Sequence, residues 1–217
     1  MSLGSTLAQA VQTGAKIEIL TVFSDIPSSK APASAWDRRC GFATEGEAAT
    51  ARREEDRRAC SVLGAKPRWL DFGDECYARR GSEDDIWSAV TAATRDADAV
   101  LIPGFPLAHA DHARLSELLL RRGFSCPRIA LYAEQPYMFT QGKTPIGSTL
   151  SPALKSMVGA TPAWTRVPTH GVYRRIKYRA VRSYRSQLRH LGLGNIGLHR
   201  MLWREAMQGG EAIVWLS

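Results

Sequence analysis

Two imidazoles and a carboxylate fall within four residues at His109-Ala110-Asp111-His112. An apolar run, Ala99-Val100-Leu101-Ile102, precedes them and is closed by Pro103-Gly104, the pattern of a buried strand opening into a loop. In parallel α/β sheets, functional groups collect just past the carboxyl ends of strands. His109, Asp111 and His112 occupy such a position. The histidines are three residues apart, so a helix starting near Ala108 puts both rings on one face. That face could serve a metal ion and an acid–base catalyst together. The same spacing also suits a solvated helix start, with Asp111 as an ordinary first-turn acid.

The elements that must hold these groups follow from the rest of the chain. Leu3–Thr13 has a helical apolar rhythm and Gly14 as its stop, and Lys16–Phe23 reads as a buried strand. Ser24–Ala43, rich in Pro, Ser and Ala, reads as a loop long enough to be functional. Thr44-Glu45-Gly46-Glu47 is a capping box that opens a helix running to Leu63, with Gly64 beyond it. A short strand at Arg68–Phe72 leads to Gly73-Asp74, and Ser82 caps a helix through Ala93. The strand Asp98–Ile102, the histidine loop, a helix over Ala113–Arg122 and a strand at Arg128–Tyr132 come next, with Glu134, Pro136 and Tyr137 just past that last strand. Residues 140–168 form a less regular excursion carrying four prolines. Val172–Leu191 is a basic amphipathic helix ended by Gly192-Leu193-Gly194, and Glu211–Leu216 is a terminal strand.

At 217 residues, 44% hydrophobic and 23% charged, the chain suits a single α/β domain over residues 1–217. No apolar run approaches the roughly 18 residues needed to span a bilayer, and the start lacks a signal-peptide pattern, so no membrane partner is expected. Cys40, Cys60, Cys76 and Cys126 are widely spread, which fits reduced thiols in the cytoplasm. The net charge of +8 is uneven, with ten basic residues and no acidic one from Arg166 to Arg204. Such a block can attract nucleic acid, but it more often forms a solvated helix face. No Gly-x-Gly-x-x-Gly or P-loop follows a strand, which ranks nucleic acid and nucleotide partners last.

Taken together, the motifs resemble the PIG-L/LmbE-like N-acetylglucosaminyl deacetylases over nearly the whole chain. Ser2-Leu3-Gly4-Ser5-Thr6-Leu7-Ala8 resembles that family's first helix, and Ile17–Phe23 its second strand. Arg52-x-x-Glu55-x-x-x-Ala59 with Leu63-Gly64 is similar to the next helix, and Trp69–Asp74 to the next strand and acidic loop. His109-Ala110-Asp111-His112 matches the His-x-Asp-His motif. Leu131–Tyr137, Lys177–Gln187 and Gly210-Glu211 before Trp215 resemble later landmarks.

The resemblance implies a Rossmann-like three-layer α/β fold with a mainly parallel sheet. It implies a zinc-dependent hydrolase that removes an N-acetyl group from an N-acetylglucosaminyl glycoside or related amino-sugar metabolite, a small-molecule substrate. His112 is the implied zinc ligand, and His109 the group that protonates or stabilises the tetrahedral intermediate, positioned by Asp111. Arg52 and Asp74 are the implied substrate contacts. These roles suit amide hydrolysis, which needs an activated water, an oxyanion partner and a proton for the leaving amine.

The family's other zinc ligands and general base lie in a His-Pro-x-Asp-Asp motif directly before the helix matched here by Ser2–Ala8, and this sequence begins after that point. The expectation is therefore a truncated start with the first strand absent, leaving the neighbours of that central strand with unpaired backbone groups. A catalytic zinc site needs about three protein ligands, and His112 is one. His170, His190 and His199 are more simply surface or partly buried histidines. A catalytically inactive, metal-free relative acting as a binding or assembly module is the alternative function, and a homo-oligomer is compatible with either.

Overall fold

Strand-forming runs alternate with capped helices, and the chain folds as an α/β protein, as expected. The structure, a computed structural model, describes residues 2–26, 30–74, 76–77, 81–145, 154–155 and 163–216. In order, its elements are α1 (Gly4–Gln12), β1 (Glu18–Thr21), α2 (Ala35–Cys40), α3 (Glu45–Leu63), β2 (Lys66–Trp69), α4 (Glu83–Thr94), β3 (Val100–Phe105) and α5 (Ala110–Arg122). They continue with β4 (Ile129–Ala133), α6 (Tyr137–Thr140), β5 (Thr165–Val167), α7 (Gly171–Val181), α8 (Arg185–His190), α9 (Asn195–Met207) and β6 (Glu211–Leu216). Contacts gather these into two units, one of residues 1–3, 81–168 and 208–217, the other of residues 4–80 and 169–207.

The first unit is built on a four-stranded sheet ordered β3-β4-β6-β5. β3 and β4 run parallel, whereas β6 is antiparallel to both β4 and β5. Helix α5 packs on β3 and α4 packs on α5, burying Ile86, Val90, Leu118 and Leu119, while Ile102, Ala130, Leu131 and Val214 are buried on the strands. Ser82 and Asp85 form the capping box of α4.

β3 runs further than the sequence suggests. Pro103-Gly104 reads as a stop, yet the strand continues to Phe105 with an irregular register between Pro103 and Phe105. An edge strand tolerates Pro103 because its missing N–H costs no ladder bond on the free side. Gly104 fits because a Cβ there would stand 2.5 Å from Cβ of Leu131. The bare glycine backbone lies against β4.

In the second unit β1 and β2 pair in parallel. The capping box at Thr44 and Glu47 starts α3, and Gly64 ends it with φ 74°. Helices α1, α3 and α7 pack together through Ala8, Ala59, Leu63 and Ala180, with Ile19, Ile176 and Tyr184 against them. Small residues at this contact let the helices approach closely. The helix expected over Val172–Leu191 is two helices, α7 and α8, interrupted at Arg182–Tyr184. Part of the excursion at 140–168 lies outside the described residues. Among the described residues, no helix is long and apolar enough to cross a membrane.

Candidate active site

The histidine motif sits where the first unit's parallel strands end. After Phe105 the chain turns through a cis Phe105–Pro106 bond and Leu107, whose φ of 54° is unusual for a residue with a side chain. His109 then caps α5: its Nδ1 accepts the Asp111 backbone N–H at 3.3 Å. A nitrogen that accepts an N–H carries no proton of its own, so the neutral ring holds its hydrogen on Nε2. His109 thereby presents a donor on its free side.

Asp111 is buried in the first turn of α5, with its Oδ2 3.8 Å from His109 Nδ1. That separation is too long for a hydrogen bond, so Asp111 acts on His109 through its charge and through its backbone N–H.

His112 follows on the same helix face, its ring centroid 5.2 Å from that of His109. Its Nδ1 lies 2.7 Å from Oε1 of Glu134, a carboxylate only 1% exposed. An ionised carboxylate only accepts, so Nδ1 carries the hydrogen and Nε2 keeps its lone pair. This is the arrangement in which a second carboxylate orients a metal-binding histidine. Glu134 is held by its own backbone, whose N–H donates to the Phe105 carbonyl at 2.6 Å, zipping the end of β4 to the end of β3. Its Oε2 is buried without a hydrogen-bond partner among the described residues.

Tyr137 meets His112 edge-on at 6.4 Å. Burial, and then the charge of Glu134, push its phenol above the ordinary range, so it stays protonated. Next to Glu134, the Gln135 N–H donates to Ser2 Oγ at 3.0 Å, bringing the start of the chain to the same loop. The sequence placed Glu134 and Tyr137 past a strand end but gave neither a role.

Arg52 and Asp74 come together in the second unit. One terminal nitrogen of Arg52 pairs with Asp37, and the other lies 3.3 Å from Oδ2 of Asp74. Asp37 is fully buried and also accepts the Tyr77 hydroxyl at 2.6 Å and the Ser34 hydroxyl at 3.1 Å. Burial, with the hydrogen bond to Asp37, raises the Tyr77 phenol. One cation thus faces two carboxylates, and both ends of the guanidinium are taken up.

Sequence reasoning missed Asp37 because α2 lies inside the stretch read as a loop. Its signal was present: Ser34 three residues before Asp37, whose N–H the Ser34 hydroxyl accepts, and Gly41 as the stop. Arg79 and Arg80, which follow Asp74 and Tyr77 in the sequence, lie outside the described residues.

For zinc, the donor set is partial. Nε2 of His112 suits one coordination position, but no group of three His, Cys, Asp or Glu side chains among the described residues could hold a metal ion. His190 meets Trp36 edge-on and His199 stacks on Tyr178, as structural histidines do.

The family pattern described as PIG-L, GlcNAc-PI de-N-acetylase, matches residues 1–122. No curated protein matches significantly. Among solved structures, the A40926 pseudoaglycone deacetylase Dbv21 is 25% identical, with a TM-score of 0.74 over 99% of this chain and 90% of that one. The zinc-inhibited form of teicoplanin deacetylase Orf2 is 20% identical, with a TM-score of 0.76 over 99% of this chain and 92% of that one. The 4-carboxy-2-hydroxymuconate hydratase GalB of Pseudomonas putida KT2440 is 18% identical, with a TM-score of 0.59 over 98% of this chain and 88% of that one.

Proposed function

The chain belongs to the PIG-L family of GlcNAc-PI de-N-acetylases, and from that membership we propose that it hydrolyses the N-acetyl group of an N-acetylglucosaminyl glycoside or a related amino-sugar metabolite. The observation that carries the reading is the His112–Glu134 pair beside His109, at the carboxyl ends of two adjacent parallel strands. Amide hydrolysis needs a donor for the oxyanion and a proton for the departing amine. His109 meets the first need, its Nε2–H donating to the oxyanion while Asp111 holds the ring through the helix cap; the proton for the departing amine comes from the attacking water. His112, oriented by Glu134, is the proposed metal ligand. Asp74 and Arg52 are the proposed substrate contacts, Asp74 through carboxylate lone pairs suited to accept sugar hydroxyls and Arg52 by holding Asp74 in place at 3.3 Å.

Zinc enters this reading through one ligand, so metal content is the first test. The metal-dependent reading requires about one zinc per chain after dialysis in metal-free buffer, lost in His112→Ala, with the remaining ligands supplied from beyond the described residues or by a second chain. A chain without zinc contradicts the metal-dependent reading and supports the second one, a metal-free binding or assembly module, which the partial donor set favours. Because one structural neighbour is known in a zinc-inhibited form, activity should be followed across a zinc titration.

A further inference from the structure

Helix α9 buries Leu198, Met201, Leu202 and Glu205 on one side and leaves three large apolar side chains in water on the other. Ile196 is 78% exposed, Trp203 64% and Met207 69%. Steps of seven and eleven residues bring these three within about 40° of one another around the helix. They form a single ridge. Arg200 and Arg204 flank it on one side and His199 on the other, all exposed. The helix's one carboxylate, Glu205, turns inward to the buried ammonium of Lys177 at 2.7 Å. On the neighbouring α7, Tyr178 stacks on His199, and the Arg182 guanidinium lies over Tyr178. A further cation, Arg182 at the end of α7, thus stands on the His199 side of the ridge, opposite Arg200 and Arg204.

An apolar ridge bordered by arginines, with no exposed acid, complements an anionic lipid surface. Nucleic acid would use the arginines but leave Ile196 and Met207 in water. A second copy of the same face would set arginines against arginines. We propose that this face of α9 docks on an anionic membrane surface, with Ile196, Trp203 and Met207 entering the headgroup boundary and Arg200 and Arg204 meeting lipid phosphates. It departs from the expectation of no membrane partner, involves no spanning segment and stands independently of the deacetylase reading.

The test is co-sedimentation of the full chain with vesicles of phosphatidylcholine alone and with about a third phosphatidylglycerol, since each arginine near an anionic surface contributes about fivefold in binding. Binding to the anionic vesicles alone, weakened by salt, is expected, and the Arg200→Glu/Arg204→Glu variant should bind about twentyfold less or weaker still. If that variant loses its far-UV circular dichroism, quenching of the wild-type chain by brominated lipid decides instead, and it should fall in Trp203→Phe. Absence of vesicle binding, or binding unchanged in both variants, overturns the proposal. So does retention on duplex DNA without vesicle binding, or a monomer–dimer equilibrium abolished by Trp203→Ser without vesicle binding.

Discussion

At the scale of single residues, the chemistry of the site turns on which nitrogen of each histidine is engaged. His109 spends Nδ1 on its own helix and His112 spends Nδ1 on Glu134, so both rings present Nε2, one as donor and one as lone pair. Glu134→Gln removes the charge that fixes the His112 tautomer and lets an amide N–H face the ring instead. Losing such an outer partner typically costs 10–100-fold, so kcat should drop by about tenfold or more with KM little changed; an unaltered kcat would separate Glu134 from the chemistry.

A different residue sets a pH limit on the fold. Tyr184 donates to Asp56 at 2.8 Å, and burial, reinforced by the Asp56 charge, lifts its phenol well above the ordinary value. Its stabilisation is whole below about pH 10, where an unfolded tyrosine titrates, and is lost as pH rises toward the folded value. Alkaline unfolding followed by circular dichroism should show a shallower loss above pH 10 in Tyr184→Phe than in the parent chain. Equal slopes would show that Tyr184 does not titrate this way.

At the scale of elements, the site depends on β3 reaching Phe105, because the Phe105 carbonyl fastens Glu134 and the next turn delivers His109. Gly104 permits that reach. In Gly104→Ala the new methyl would meet Cβ of Leu131, which is fully buried in β4, and Trp164 at 3.2 Å. Overpacking of this kind costs about 1–3 kcal/mol, so thermal unfolding should shift downward and activity should fall beyond what stability explains. An unchanged melting temperature would mean the two strands can part at no cost. The same element shows why Pro-Gly misleads in sequence: both residues usually punctuate a strand, but here one uses the free side of an edge strand and the other the contact with its neighbour.

At the scale of the whole molecule, legibility followed the strength of local patterns. The capping boxes at Thr44 and Ser82 and the apolar run before the histidines carried their own signals, and the corresponding elements stand within a few residues of expectation. β5 has three residues and gives no periodicity to read. α9 escaped because Ile196, Trp203 and Met207 lie on its wet face and blur the apolar rhythm of Leu198, Met201 and Leu202. The histidine motif was legible, whereas Glu134 and Asp37 acquire partners only through tertiary packing, 22 residues from His112 in one case and 15 from Arg52 in the other. The central claim, an N-deacetylase, is tested most directly by incubating the chain with an N-acetylglucosaminyl glycoside and measuring acetate and free amine together. Equimolar release of both is expected, abolished in His109→Ala while that variant stays folded. No release at any zinc level, or release that persists in His109→Ala, would contradict it.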